Sequence, residues 1–135
     1  MLLQGNSDGA QIELSRDEWS KNVDATNYYV AKIRIDGLEV CHNVYAFDPA
    51  NEGLAKFFEE LALNWKGWDG IRHWSSLEGE FEIDCKQDGL GNIGTTAKLH
   101  KNRGEVSGWT AEIRFEISAG QLDQITCDLK NFFTV

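Results

Sequence analysis

The sequence predicts an α+β fold: a two-layer sandwich in which one mostly antiparallel sheet of five or six strands carries two helices on one face, in the order ββ(β)αβββα. Three observations lead there. Apolar and polar residues alternate through successive runs between Phe81 and Ile117, the period-two pattern of half-buried strands. Asp36-Gly37 separates two runs rich in β-branched and aromatic residues, the signal of a two-residue hairpin. Apolar residues also recur at three- and four-residue spacing in two places, giving each segment one helical stripe.

Taken in order, residues 1–10 are polar and Gly-rich after Leu3 and are expected to be partly frayed. Gln11 to Ser15 reads as a short strand with Ile12 and Leu14 on one side. A polar stretch from Arg16 to Asn27 follows, in which Trp19 is expected to pin the loop to the body. Tyr28 to Ile35 and Leu38 to Phe47 form the hairpin around Asp36-Gly37. Asp48-Pro49 then supplies an N-cap and a first-turn proline, with Glu52 placed where the helix dipole favours an anion. Leu54, Phe57, Phe58, Leu61, Ala62 and Trp65 make the stripe of that helix, and Gly67 ends it.

Trp68 to Gly79 has neither period. Beyond it, Phe81, Ile83 and Cys85 are expected to face inward, as are Ile93, Thr95, Ala97 and Leu99, and then Trp109, Ala111, Ile113, Phe115 and Ile117. The outer face would show Lys32, Arg34, Glu82, Asp84, Lys86, Lys98, His100, Glu112, Arg114 and Glu116 as a solvated lattice of both signs. Leu122, Ile125, Leu129, Phe132 and Phe133 place a second helix against the inner face.

The bulk composition narrows the function classes. At 135 residues, 41% of them hydrophobic and 26% charged, the chain is expected to fold as one domain, 1–135, without metal or disulfide staples. Its three cysteines are dispersed and form no C-x-x-C pair, so reduced and mostly buried thiols are expected. No apolar run is long enough to cross a bilayer and the N-terminus lacks a basic, then apolar, leader, which points to the cytoplasm. A net charge of -9 disfavours nucleic acid and anionic membranes as partners and favours a basic protein. His42, His73 and His100 have no metal-ligand spacing, and no cofactor is implied. The glycines of Asp88-Gly89-Leu90-Gly91-Asn92 and Arg103-Gly104-Glu105 fit hairpin turns, because no helix follows to meet a phosphate.

Chemistry concentrates in residues 65–79, which hold three of the five tryptophans. Trp65, Trp68, Asp69, Arg72, His73, Trp74 and Glu78 are the candidate ligand- or partner-binding residues, and no catalytic or metal residues are assigned. Tryptophan offers a large apolar plane with one donor, and arginine a planar fork suited to carboxylate. The same residues also fit a structural role, with the three tryptophans capping the open end of the core and Asp69 paired to Arg72. With its W-x-G-W-x-G-x-R-x-W-x-S-L-E-G run at Trp65–Gly79, followed by three strands and a helix, the chain resembles a family of small, functionally uncharacterised bacterial proteins over roughly residues 54–133. That resemblance implies the fold boundary and a bacterial source. Small acidic bacterial proteins of this type act by analogy as immunity proteins or accessory subunits.

Three readings stay open at this point. One is a protein-binding domain without catalysis; a homodimer is compatible with all three. Another is a small-molecule or peptide binder walled by Trp65, Trp68, Arg72 and Trp74. The third is an enzyme using His73 with Asp69 or Glu78 as acid and base.

Overall fold

The computed structural model describes residues 1–6, 9–16, 28–46, 53–102 and 104–134. The class is α+β, as expected, but the strands divide into two sheets. β1 (Leu2–Gln4), β2 (Gln11–Ser15), β3 (Tyr28–Ile35) and β4 (Leu38–Tyr45) form one antiparallel meander. After α1 (Leu54–Leu63) come β5 (Arg72–Ser75), β6 (Phe81–Gln87), β7 (Asn92–Lys101) and β8 (Trp109–Ser118), which form a second. A 3₁₀ turn at Ala119–Gln121 leads into α2 (Leu122–Phe133). The order among the described residues is therefore ββββαββββα, which corrects the expected single sheet and its strand count.

Each correction has a local reason. Leu2–Gln4, expected to fray, pairs with Gln11–Glu13, buries Leu3 and sends the Met1 ammonium to the Leu14 carbonyl at 3.0 Å. Arg72–Ser75 carries no alternation, yet it pairs with Glu82–Cys85. The expected helix start at Asp48, Pro49 and Glu52, and the expected anchor Trp19, lie outside the described residues. Within them α1 begins behind an extended Gly53, whose carbonyl accepts the Phe57 amide at 3.0 Å.

The Asp36-Gly37 hairpin forms with φ of 29° and 88° at its two central residues, values that suit Asp and Gly and that match the twist of the strands it joins. The inner rows of β6 and β7 fall as read: Phe81, Ile83, Cys85, Ile93, Thr95, Ala97 and Leu99 are all buried. In β8, Ile113, Phe115 and Ile117 are buried while Trp109 and Ala111 are half-buried. Burying each large side chain contributes about 1.5–3 kcal/mol relative to exposure, so these rows dominate the stability of the second sheet.

Both sheets and both helices share one core. α1 packs on α2, where Lys130 meets Glu59 at 2.8 Å, and Tyr29 of β3 receives the edges of Phe132 and Phe133. β3 lies beside β8 and β4 beside β7. The Asn6 amide donates to the Glu116 carbonyl at 2.9 Å, and the Tyr45 amide to the Glu80 carboxylate at 2.9 Å, so the two sheets are also joined by polar contacts. Of the three cysteines only Cys85 is buried; Cys41 and Cys127 are exposed, against expectation. Burial pushes the Cys85 thiol up to about 12, leaving it protonated and inert at neutral pH.

Candidate functional site

The candidate segment runs from the end of α1 through β5 to the β5–β6 turn. Gly67 turns the chain there with φ of 141°, and a Cβ at this position would stand 3.1 Å from the Gln87 Oε1. Gln87 in turn donates from Nε2 to the Trp65 carbonyl at 2.7 Å, fixing the segment to β6. The Trp68 indole N–H donates to the Cys85 carbonyl at 3.3 Å while its ring packs against the core. Trp74 faces inward, edge-on to Phe81 at 5.5 Å. Trp68 and Trp74 therefore take the capping role, whereas Trp65 stays 55% exposed with the Lys66 ammonium 5.6 Å from its ring.

The polar residues do not pair as the sequence alone proposed. Asp69 and Arg72 are exposed and make no ion pair among the described residues. Instead of Asp69 or Glu78, His73 meets Asp84, Nδ1 to Oδ1 at 2.5 Å, with its Nε2 3.7 Å from Glu82. Glu82 also meets His100, whose Nε2 is 2.5 Å from Oε2, and the His100 Nδ1 lies 2.8 Å from the Thr110 hydroxyl. A polar track thus crosses the second sheet from β5 to β8. It keeps His100 at 5% exposed, which corrects the reading of that residue as part of a solvated face. Asp84 and Glu82 were missed as partners of His73, and His100 and Thr110 as the continuation of the track from Glu82. The alternation of β6 and β7 places them on one face, but the pairing of His73 with Asp84 comes from the β5 register.

Nor do the seven candidate residues converge on one cavity. Trp68, Arg72 and His73 line a cleft of about 440 Å³ between α1 and β5, with Phe57, Leu61, Glu60 and Asn64. Trp65 borders a groove of about 650 Å³ together with Leu90 and Leu122. Glu78 lines a third cleft, of about 430 Å³, with Tyr28, His42, Glu80 and His100. Burial holds the His42 imidazole below the ordinary histidine range, against the raising effect of Glu80.

The remaining outer lattice is as read in part: Lys98 meets Glu112 at 3.6 Å and Arg114 meets Glu112 at 2.9 Å. Lys32 and Arg34 belong to the other sheet, where both approach Glu39. Among the described residues no helix is long and apolar enough to cross a membrane.

A family model described as a family of unknown function, DUF6228, matches residues 3–135. The chain belongs to that family. The match covers both sheets and both helices, so the family domain includes the N-terminal meander that the resemblance in sequence had left out. Searches of curated proteins and of solved structures found no match.

Proposed function

We propose that the chain is a non-catalytic protein-binding domain whose partner is basic, in the manner of an immunity or accessory protein of a bacterium. The observation that carries this reading is the surface around α1 and β5. Along the stretch from the end of α1 past β5, Leu63, Trp65, Ile71 and Leu77 are all more than half exposed, and Glu60, Asp69 and Glu78 are exposed in the same stretch. Exposed large apolar side chains interspersed with charge suit an interaction surface. The net charge of -9 adds attraction to a basic surface and raises the rate of encounter with it.

The test is purification of the tagged chain from its native host at low and moderate salt. A stoichiometric basic protein should co-purify at low salt, fall away as salt rises, and be lost with the Trp65→Ala, Leu77→Ser double variant. Recovery that ignores both salt and these substitutions would count against the reading.

A further inference from the structure

Among the described residues β5 is an edge strand. Its partner on one side is β6, and its burial pattern leaves Arg72, His73 and Ser75 exposed. The ladder sets which backbone groups face outward. The Ser76 amide donates to the Phe81 carbonyl at 2.9 Å and the His100 amide to the Glu80 carbonyl at 2.8 Å. In an antiparallel ladder, bonding residues alternate. Arg72 and Trp74 therefore bond to β6, while His73 and Ser75 aim their N–H and C=O groups away from the sheet, where no described residue meets them.

This open edge adjoins the cleft of about 440 Å³ against α1, with Phe57, Leu61 and Trp68 as its apolar lining. An open strand edge beside a helix-walled cleft of mixed apolar and polar lining has a form that accepts an extended segment by strand addition. Charge sets the chemistry of that segment. Asp69 and Glu78 flank β5 three residues from either end, both exposed and neither in an ion pair among the described residues. Asp84 and Glu82 lie on the outer face beside it, where Lys98 stands opposite Glu82, and Glu60 lies with Arg72 at the cleft, so carboxylates outnumber cations around the strand.

We propose that the free edge of β5 takes up an extended segment of a protein partner with alternating apolar and basic residues. The added strand's apolar side chains enter the α1–β5 cleft beside Phe57, Leu61 and Trp68, and its basic ones stand near Asp84 and Glu82 on the outer face. This rests on the protein-binding reading and names the site and the kind of segment. The other edge of the sheet is less suited. Near its C-terminal end β8 gives the Glu116 carbonyl to Asn6 and the Ser118 amide to Gln121, and it lies beside β3.

The test uses the full-length ¹⁵N-labelled chain and a capped Lys-Val-Lys-Val-Lys-Val-Lys peptide, with its Glu-Val counterpart as control. NMR titration and amide exchange should show protection of the His73 and Ser75 amides by the Lys-Val peptide and much less by the Glu-Val one. N-methylation of the lysine set blocks antiparallel addition and N-methylation of the valine set blocks parallel addition. One of the two should weaken binding about tenfold or more, the loss of two backbone bonds, while the other has little effect. Ser75→Pro removes an outward N–H and should abolish binding, whereas Ser75→Ala keeps it, both with amide spectra otherwise unchanged.

Four results overturn the proposal. They are protection of Thr110, Glu112 and Arg114 instead, shifts confined to the Trp65 groove, no perturbation by any peptide, and His73 and Ser75 protection without peptide in a species of doubled mass. The first two leave the protein-binding reading standing. That reading fails separately, in the salt-dependent co-purification.

Discussion

The two edges of the second sheet were built differently. β8 is ten residues long and the larger hazard, since a long exposed edge invites pairing with other chains. Its end is closed by Asn6 and Gln121, and its outer face carries the Glu112–Arg114 ion pair. β5 is four residues long, carries the His73–Asp84 contact on its outer face, and has no described residue closing its edge beside the cleft. Closing β8 also joins the two sheets.

The largest perturbation should erase the difference altogether. Phe81 is fully buried, starts β6 and supports Trp74 of β5, so Phe81→Ala should destabilise by about 3–5 kcal/mol in urea unfolding and loosen both edges. Gly108→Ala acts on β8 first. Its new Cβ would fall 2.2 Å from the Asn102 carbonyl oxygen, which forces the β7–β8 turn to shift at about 1–3 kcal/mol. Amide exchange should quicken in β8 before β5.

Gln121→Ala sharpens the comparison more gently, because it removes the acceptor for the Ser118 amide and reopens the end of β8. A loss of about 0.5–1.5 kcal/mol is expected, with faster exchange at Ser118 and none at Trp74.

The smallest effect is one of pH and touches neither edge. Amide donation from Leu90 and the side-chain amide of Asn92 hold the Asp88 carboxyl below its usual range. A folded value below the unfolded one gives stability that is complete above the unfolded value and disappears as pH falls through the folded one. Asp88→Ala should therefore flatten the acid limb of the stability profile below about pH 4 and leave neutral exchange at both edges unchanged.

Legibility in the sequence followed the range of the physics involved. The alternation of β6, β7 and β8 was readable because a period of two depends only on which side of a strand meets the core. The Asp36-Gly37 turn was readable because few residues accept its positive φ values. β5 was not, since Arg-His-Trp-Ser has a wet face and a half-buried one and too few residues to show a period. His73 was read with Asp69 or Glu78, but its contact Asp84 lies eleven residues away and is brought to it by register.

By itself the sequence determined the α+β class, the inner rows of the strands and most of both helical stripes. Each of these rests on local spacing. Only the tertiary structure decided that the strands form two sheets, that His100 is buried while Trp65 is not, and that one edge closes while the other stays open. Those outcomes depend on which distant strands become neighbours, and that is set by burial of the common core and not by any residue's local preference.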